Sequence, residues 1–518
     1  MIALLKHLGF TLGPLIAIAC SSHASGQAQH ISSELSSESF APVYYQDMDG
    51  DSLVDIILPH WSQNTGRELH IYLQSSNGTY APQPSRRVEI KPEIIAFAFA
   101  DTRPAPGKEL ILITDSNVFS LSSAIESYSG NLAPLFEWNF VASAPERKQV
   151  LHFAGVQDIN NDGLEDLLLP GREAYGYFQN LGNDTFSLAH QFDTVNTELS
   201  PSDLPNGNGR ASTQLSINEK DGLVFKVTLP NRSAFDDFLS QANSNDESDD
   251  MLATELWRPS ALISQMNNDS RADFVYMNIG NDLYGQINVL VQSESGQFAE
   301  KATWKGPIDT SGEIQLLDFN GDGSSDIIRL VNNSNEWDVY FYTNRDGSFN
   351  FDKADQVMRF SGYDVEVKTT KIAQDASVFL SVQYYTIPVV SAIRNASIVR
   401  TQLMYELSDQ SSPIFSTRPN FRLDESFSAE QVRGLSSAMQ IDSDLDGDGR
   451  NDALYITETG ALEAKSINDE LEISDEAFWQ YVPSRSIVRF ATAQLNDDEV
   501  PDFILYHSNA ISLLVSTP

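Results

Sequence analysis

Cysteine is almost missing from these 518 residues: Cys20 stands alone, so no internal disulfide can form and the fold must be held by other means. Basic residues are scarce as well. Lys and Arg number 33 against 72 Asp and Glu, a formal net charge of −39, which excludes nucleic acid or an anionic lipid surface as a partner held by general electrostatics. Catalytic signatures are lacking too. The eight histidines form no HExxH or H-x-H pair, and there is no G-x-S-x-G elbow or phosphate loop. Paired carboxylates for glycoside chemistry cannot be singled out where acids are abundant for another reason. No catalytic residue is assigned, and the chain is expected not to be an enzyme. What is present is enough apolar sequence, 41%, to bury one large core or several.

The N-terminus carries Lys6, an apolar run from Leu8 to Ala19, and then Cys20. That run is too short for a settled membrane span and reads as a signal peptide over residues 1–19. "IAIAC" resembles a bacterial lipobox, which implies lipidation of Cys20 and a Ser-rich tether over 20–40; ordinary cleavage after Ala24 or Ala28 is the alternative. The expectation is an exported chain: an outer-membrane lipoprotein facing the periplasm or the cell surface, or else a secreted or periplasmic protein. A lipid on Cys20 would be its only membrane attachment.

The most informative stretch is "DLDGDGRND", which places Asp444, Asp446, Asp448 and Asp452 at positions 1, 3, 5 and 9 of one loop. Carboxylates about 4 to 5 Å apart repel by several kcal/mol at a surface dielectric near 20, so a cation is needed to keep them together. Oxygen-only donors on alternate residues suit Ca²⁺, which takes six to eight oxygens at roughly 2.3–2.6 Å. An EF-hand would place Glu at position 12, where Tyr455 stands, and the following "ALYI" is β-prone, so the loop joins two strands. The pattern recurs from Asp47, Asp158 and Asp318, and in weaker form from Asp101, Gln265 and Gln494. The seven starts are separated by 54, 57, 107, 53, 126 and 50 residues. Each loop is preceded by an apolar strand and followed by two or three more, a four-stranded unit repeated as in a β-propeller.

The loops "DLDGDGRND", "DFNGDGSSD", "DINNDGLED" and "DMDGDSLVD" resemble the calcium loops of FG-GAP/VCBS repeats, the family of the integrin α-chain propeller and of many bacterial exported proteins. The resemblance spans most of residues 41–517. Side-chain ligands are assigned at positions 1, 3, 5 and 9, with a backbone carbonyl at 7. They are Asp47, Asp49, Asp51 and Asp55; Asp158, Asn160, Asp162 and Asp166; Asp318, Asn320, Asp322 and Asp326; Asp444, Asp446, Asp448 and Asp452. About four strong Ca²⁺ sites are expected. The Asp101 loop puts Arg103 at position 3, and its guanidinium is expected to replace the ion. The Gln265 and Gln494 loops keep Asp269 with Asp273 and Asp498 with Asp502, as weak sites or empty turns.

The expected fold is all-β: a seven-bladed propeller of four-stranded antiparallel blades over 41–518, with insertions at about 193–255 and 361–432, and eight blades as the alternative. Residues around His30 to Ser37 are candidates for a strand that closes the last blade. Strand parity puts the second-to-third-strand loops on the face away from the acidic loops, with His60, Trp61, Arg67, Arg172, Tyr175, Tyr284, Trp337 and His507. In integrin-like propellers ligands bind that face, which makes it a candidate recognition surface. The function expected is a binding or adhesion module for a glycan or protein. The alternatives are a polysaccharide-degrading, lyase-like enzyme and a structural envelope lipoprotein.

Overall fold

Alternating apolar residues bounded by Gly, Asn and Asp turns give short antiparallel strands, and strands are the only regular element among the described residues. The computed structural model describes residues 29–517, except 38–40, 123–127, 129, 140–147, 149–150, 154, 172–173, 194–196, 199–211, 219–221, 229–255, 258–260, 280–283, 310–311, 374–376, 388–396, 409–412 and 429–436. The signal-peptide and lipidation expectations, Cys20 included, lie outside the described residues.

The strands assemble into eight antiparallel blades in a ring. Blade one comprises Tyr44–Gln46, Asp55–Ser62, Gly66–Tyr72 and Arg86–Ile90, hydrogen-bonded in that order. Blades two to six follow over residues 96–137, 156–193, 261–309, 313–361 and 363–428. Blade seven runs from the Gln440–Leu454 bridge to Tyr481. Blade eight takes Arg489–Ala493, Asp502–Tyr506 and Ala510–Thr517 from the C-terminal end and Gln29–Ser36 from the N-terminal end. The latter two pair antiparallel along their whole length, from Gln29 with Thr517 to Ser36 with Ala510. This pairing joins the two ends of the described chain in one blade and locks the ring.

The core is distributed between blades. Eight apolar clusters are each shared by two consecutive blades, and the last joins blade eight to blade one through Leu35, Leu495, Leu513, Ile56 and Tyr72. Eight blades with eight interfaces close the circle.

The eight-bladed alternative is therefore the one observed, and the preference for seven is corrected. The stretch 361–432 is no insertion: "YDVEVKTTK", "VFLSVQYYT", "SIVRTQLMYE" and "FRLDESFS" are the four strands of blade six. Only residues 372–377 separate its first two strands, too few for a nine-residue acidic loop, so the blade carries no motif. Burial of Val365, Val367, Leu380, Val382 and Tyr405 against blade five holds it in the ring instead. Within 193–255, Thr197–Glu198 pairs with Leu256–Trp257, and the hairpin Ser212–Asn218 with Gly222–Thr228 adds to Glu313–Leu317, the innermost strand of blade five. Leu151–His152 likewise pairs parallel with the innermost strand of blade two.

Candidate metal centres

All seven acidic loops join the first to the second strand of a blade and so line one end of the ring, in every blade except six. In five of them the turn is built by left-handed backbone conformation at positions 4 and 6. Gly50 and Ser52, Gly321 and Gly323, Gly447 and Gly449 all have φ between +66° and +90°. Asn161 with Gly163, and Asn268 with Ser270, adopt the same geometry with side chains. The space is tight: a Cβ on Gly50 would stand 2.2 Å from Pro106 of the next loop.

The acid at position 9 opens the second strand and is almost fully buried. Asp166, Asp273, Asp326 and Asp502 are 0% exposed, and Asp55, Glu109 and Asp452 are 1% exposed. One oxygen accepts the N–H of position 2: Met48 to Asp55 at 3.0 Å, Met266 to Asp273 at 2.9 Å, Phe319 to Asp326 at 3.2 Å. The other accepts an N–H at or just beyond the end of the third strand: Gln74 to Asp55 at 2.9 Å, Gln292 to Asp273 at 2.8 Å, Asn344 to Asp326 at 2.7 Å. Asp166 and Asp502 make the same pair of bonds. The position-9 carboxylate is thus a latch that fastens the loop to the blade, a role sequence reasoning missed although this is the one position acidic in all seven loops. Burial pushes these groups up against the opposing N–H donors: Asp55 to about 7, Asp326 to about 8, Asp452 to about 7, and Asp166 and Asp273 to about 6.

The residues that donate to the latch reach backwards as well. Gln74 Nε2 donates to Leu495 O at 2.8 Å, Asn180 Nδ2 to Asp101 O at 2.8 Å, Gln292 Nε2 to Ile159 O at 3.2 Å and Asn344 Nδ2 to Met266 O at 2.9 Å. Each such bond ties a blade to the acidic loop of the blade before it. Sequence reading did not find this lacing, whose one signal is a buried amide 14 to 19 residues beyond the position-9 acid.

Position 1 organises the turn. Asp47 accepts the N–H groups of Gly50 at 2.7 Å and Ser52 at 2.9 Å, and Asp444 those of Gly447 and Gly449, both at 2.7 Å. In two loops the carboxylate oxygens converge: ligand atoms of Asp47, Asp49 and Asp55, and of Asp444, Asp446 and Asp452, lie within 4.8 Å of one another. Ca²⁺ with oxygens at 2.3–2.6 Å spans ligand pairs up to about 5 Å apart, so the donor sets fit it in chemistry and in size. Burial first, and then the neighbouring Asp51, raise Asp49; burial first, and then Asp448, raise Asp446. In the blade-three and blade-five loops, Asn160 and Asn320 donate to Asp162 at 2.9 Å and Asp322 at 3.0 Å.

Two of the three degraded loops pair charge with the protein's own cations. Arg103 Nε donates to Asp184 of blade three at 2.6 Å, beside Lys108 paired with Glu165 at 2.6 Å. In blade four Arg271 pairs with Asp269 across the loop, while Gln265 Oε1 and Asn267 Oδ1 are buried with no hydrogen-bond partner. In blade eight the Gln494 amide folds inward to the carbonyls of Asn496 and Asp498.

On the opposite face the candidate residues divide. Arg67 is buried, its guanidinium donating to the carbonyls of Lys91 and Ile94; Tyr175 is buried; and His507 is bonded to Ser486 O and Ser512 Oγ. These three belong to the scaffold. Trp337 donates to Gly362 O, Trp61 lies half-buried beneath the Lys148 ammonium at 4.9 Å, and His60 is half-buried. Arg172 and the side chain of Tyr284 lie outside the described residues.

No protein-family model matches the chain, and no curated protein matches it. Solved structures similar to it include an Agrocybe aegerita lectin that recognises non-reducing terminal N-acetylglucosamine, at 11% identity, covering 79% of this chain and 92% of the lectin, with a TM-score of 0.35. The periplasmic gluconolactonase of Pseudomonas aeruginosa is similar at 10% identity, covering 90% of this chain and 99% of that one, TM-score 0.33. Saccharomyces cerevisiae Sqt1 gives 10%, 93%, 100% and 0.37 for the same measures.

Proposed function

We propose that this chain is an exported calcium-binding propeller of the FG-GAP/VCBS type that serves as a binding or adhesion module for a glycan or protein, held to the outer membrane by a lipid on Cys20. The observation that carries the calcium reading is the convergence of three carboxylates within 4.8 Å in the loops of blades one and seven. Asp47, Asp49, Asp51 and Asp55, and Asp444, Asp446, Asp448 and Asp452, would hold one ion each. The Asp158 and Asp318 loops would hold two more through Asp158, Asn160, Asp162, Asp166, Asp318, Asn320, Asp322 and Asp326. The bound ion supplies positive charge that neutralises the loop; the chain supplies the latch and the turn that aim the oxygens.

The recognition surface is assigned to the opposite face. Apolar side chains stand exposed there where strands end or begin: Tyr363 at 45% exposure, Ile387 at 50% and Val482 at 71%. Such groups, like Trp61 under Lys148 on blade one of the same face, suit stacking against sugar rings or a protein surface. The test is a pull-down from envelope extract together with a glycan array, each with and without chelator. Retention of a defined ligand that Tyr363→Ala abolishes at unchanged melting temperature supports the reading. Binding unaffected by both chelator and Tyr363→Ala would overturn it.

A further inference from the structure

A second constellation lies far from the acidic loops, near the other end of blade one. His60 sits near the end of Asp55–Ser62, and Glu68 and His70 lie on Gly66–Tyr72. The register sets His60 directly opposite Glu68, and the two-residue period of a strand puts His70 on the same face. Three residues that no linear motif connects are thereby gathered by one hairpin. The His70 and Glu68 side chains approach to 3.2 Å between Nε2 and Oε2, and the two imidazoles stack with centroids 4.4 Å apart at 26°. One ligand atom from each of the three lies within 4.8 Å of the other two.

We propose that His60, Glu68 and His70 form a three-ligand site for a divalent transition metal of the zinc class. Two imidazole nitrogens and one carboxylate oxygen are donors that Zn²⁺ takes at about 2.0–2.2 Å, and tetrahedral ligation puts the donor atoms roughly 3.4 Å apart. The His70–Glu68 separation already matches that spacing, and a side-chain rotation of His60 completes it. The imidazoles select against Ca²⁺, which prefers oxygen, so this site and the acidic loops draw on different ions. Thr65 Oγ1 donates to Glu68 Oε2 at 3.1 Å and orients the carboxylate from outside the ligand set. On the next strand Glu89 stands opposite Glu68 and Arg87 opposite His70. Three protein ligands leave a coordination position for water or for an oxygen of a bound partner. The site stands on geometry alone, and the calcium reading could fail without touching it.

The test uses the purified full chain, stripped of metal and returned to excess Ca²⁺ so that ions favoured by the acidic loops are already supplied. Zn²⁺ is then titrated by calorimetry, and Co²⁺ by visible absorption. The expected result is one equivalent of Zn²⁺ per chain and a tetrahedral Co²⁺ spectrum, with affinity at least about tenfold weaker in His60→Ala and in Glu68→Gln. Circular dichroism and melting temperature check that each variant is folded. In the unaltered chain, bound Zn²⁺ should also shield His60 and His70 from diethylpyrocarbonate, read by peptide mass, a measurement that needs no variant. Absence of Zn²⁺ binding in the presence of Ca²⁺, unchanged binding in folded His60→Ala and Glu68→Gln, or unshielded histidines would each overturn the proposal.

Discussion

The loops of blades one and four share a backbone and differ in charge. Both have left-handed residues at positions 4 and 6, and both latch a buried position-9 aspartate to two N–H groups. Blade one fills positions 1, 3 and 5 with carboxylates, whereas blade four has Gln265, Asn267 and a single acid, Asp269, paired to Arg271. The comparison teaches that latch and ion cage are separable. The latch with both N–H groups recurs in blades one, three, four, five and eight, whereas carboxylates converge in blades one and seven, where the proposed cage belongs. Blade six removes both, and its place in the ring shows that neither is required for a blade to pack.

Withdrawing calcium tests the cage most strongly. At an ion concentration ten times Kd each occupied site contributes about 1.4 kcal/mol, so four sites contribute roughly 6 kcal/mol, and chelator should lower the melting temperature by several degrees or more. An unchanged melting temperature would remove the cage from the comparison altogether.

Breaking the latch should cost somewhat less and should not depend on calcium in blade four. Asp273→Ala and Asp326→Ala each strand two N–H groups, at about 1–3 kcal/mol apiece, for a loss of roughly 2–5 kcal/mol by denaturant titration. Asp273→Ala should lose as much in chelator as in calcium; a loss seen only in calcium would merge the two roles again.

The pH dependence sharpens the same distinction. Burial raises folded Asp55, Asp326 and Asp452 to about 7, 8 and 7, above an unfolded value of about 3.9. The folded state therefore holds these protons more tightly, and the stability they confer is complete below about pH 4 and is lost as pH rises towards 8. In chelator the melting temperature should decline across that window, and calcium should flatten the decline because a cation competes with the proton. A decline equally steep with calcium would count against ligation by position 9.

Smaller effects separate the loops individually. Asp446→Asn should weaken one calcium site about tenfold in a titration and leave the chelated protein unharmed, or slightly more stable through relieved repulsion, because the amide oxygen keeps the bond from the Asp448 N–H. Arg103→Ala should cost about 1 kcal/mol through the lost Asp184 pair, with no calcium dependence, since that loop is balanced by the chain's own cations. A new calcium requirement in Arg103→Ala would instead mean that the guanidinium holds the ion's place.

Much of the fold could be read directly from the residues. The period of about 50 to 57 residues and the position of each acidic loop between two strands rest on local pattern, and the strand around His30 to Ser37 on the last repeat being one strand short. Blade six is not legible as a blade because the acidic loop is the repeat's sequence signal, and a first connection of six residues leaves no room for one. The latch was hidden for another reason: a ligand and a hydrogen-bond acceptor call for the same aspartate.

The sequence by itself determined the strands, the turns and the charge of each loop, because each depends on residues close together in the chain. The number of blades, the lacing of Gln74, Asn180, Gln292 and Asn344 into the preceding blade, and the meeting of His60 with Glu68 and His70 were decided only by tertiary structure. Ring size depends on how apolar faces of successive blades interdigitate, and cross-strand partners depend on register. Both are properties of surfaces in contact, which no linear spacing encodes.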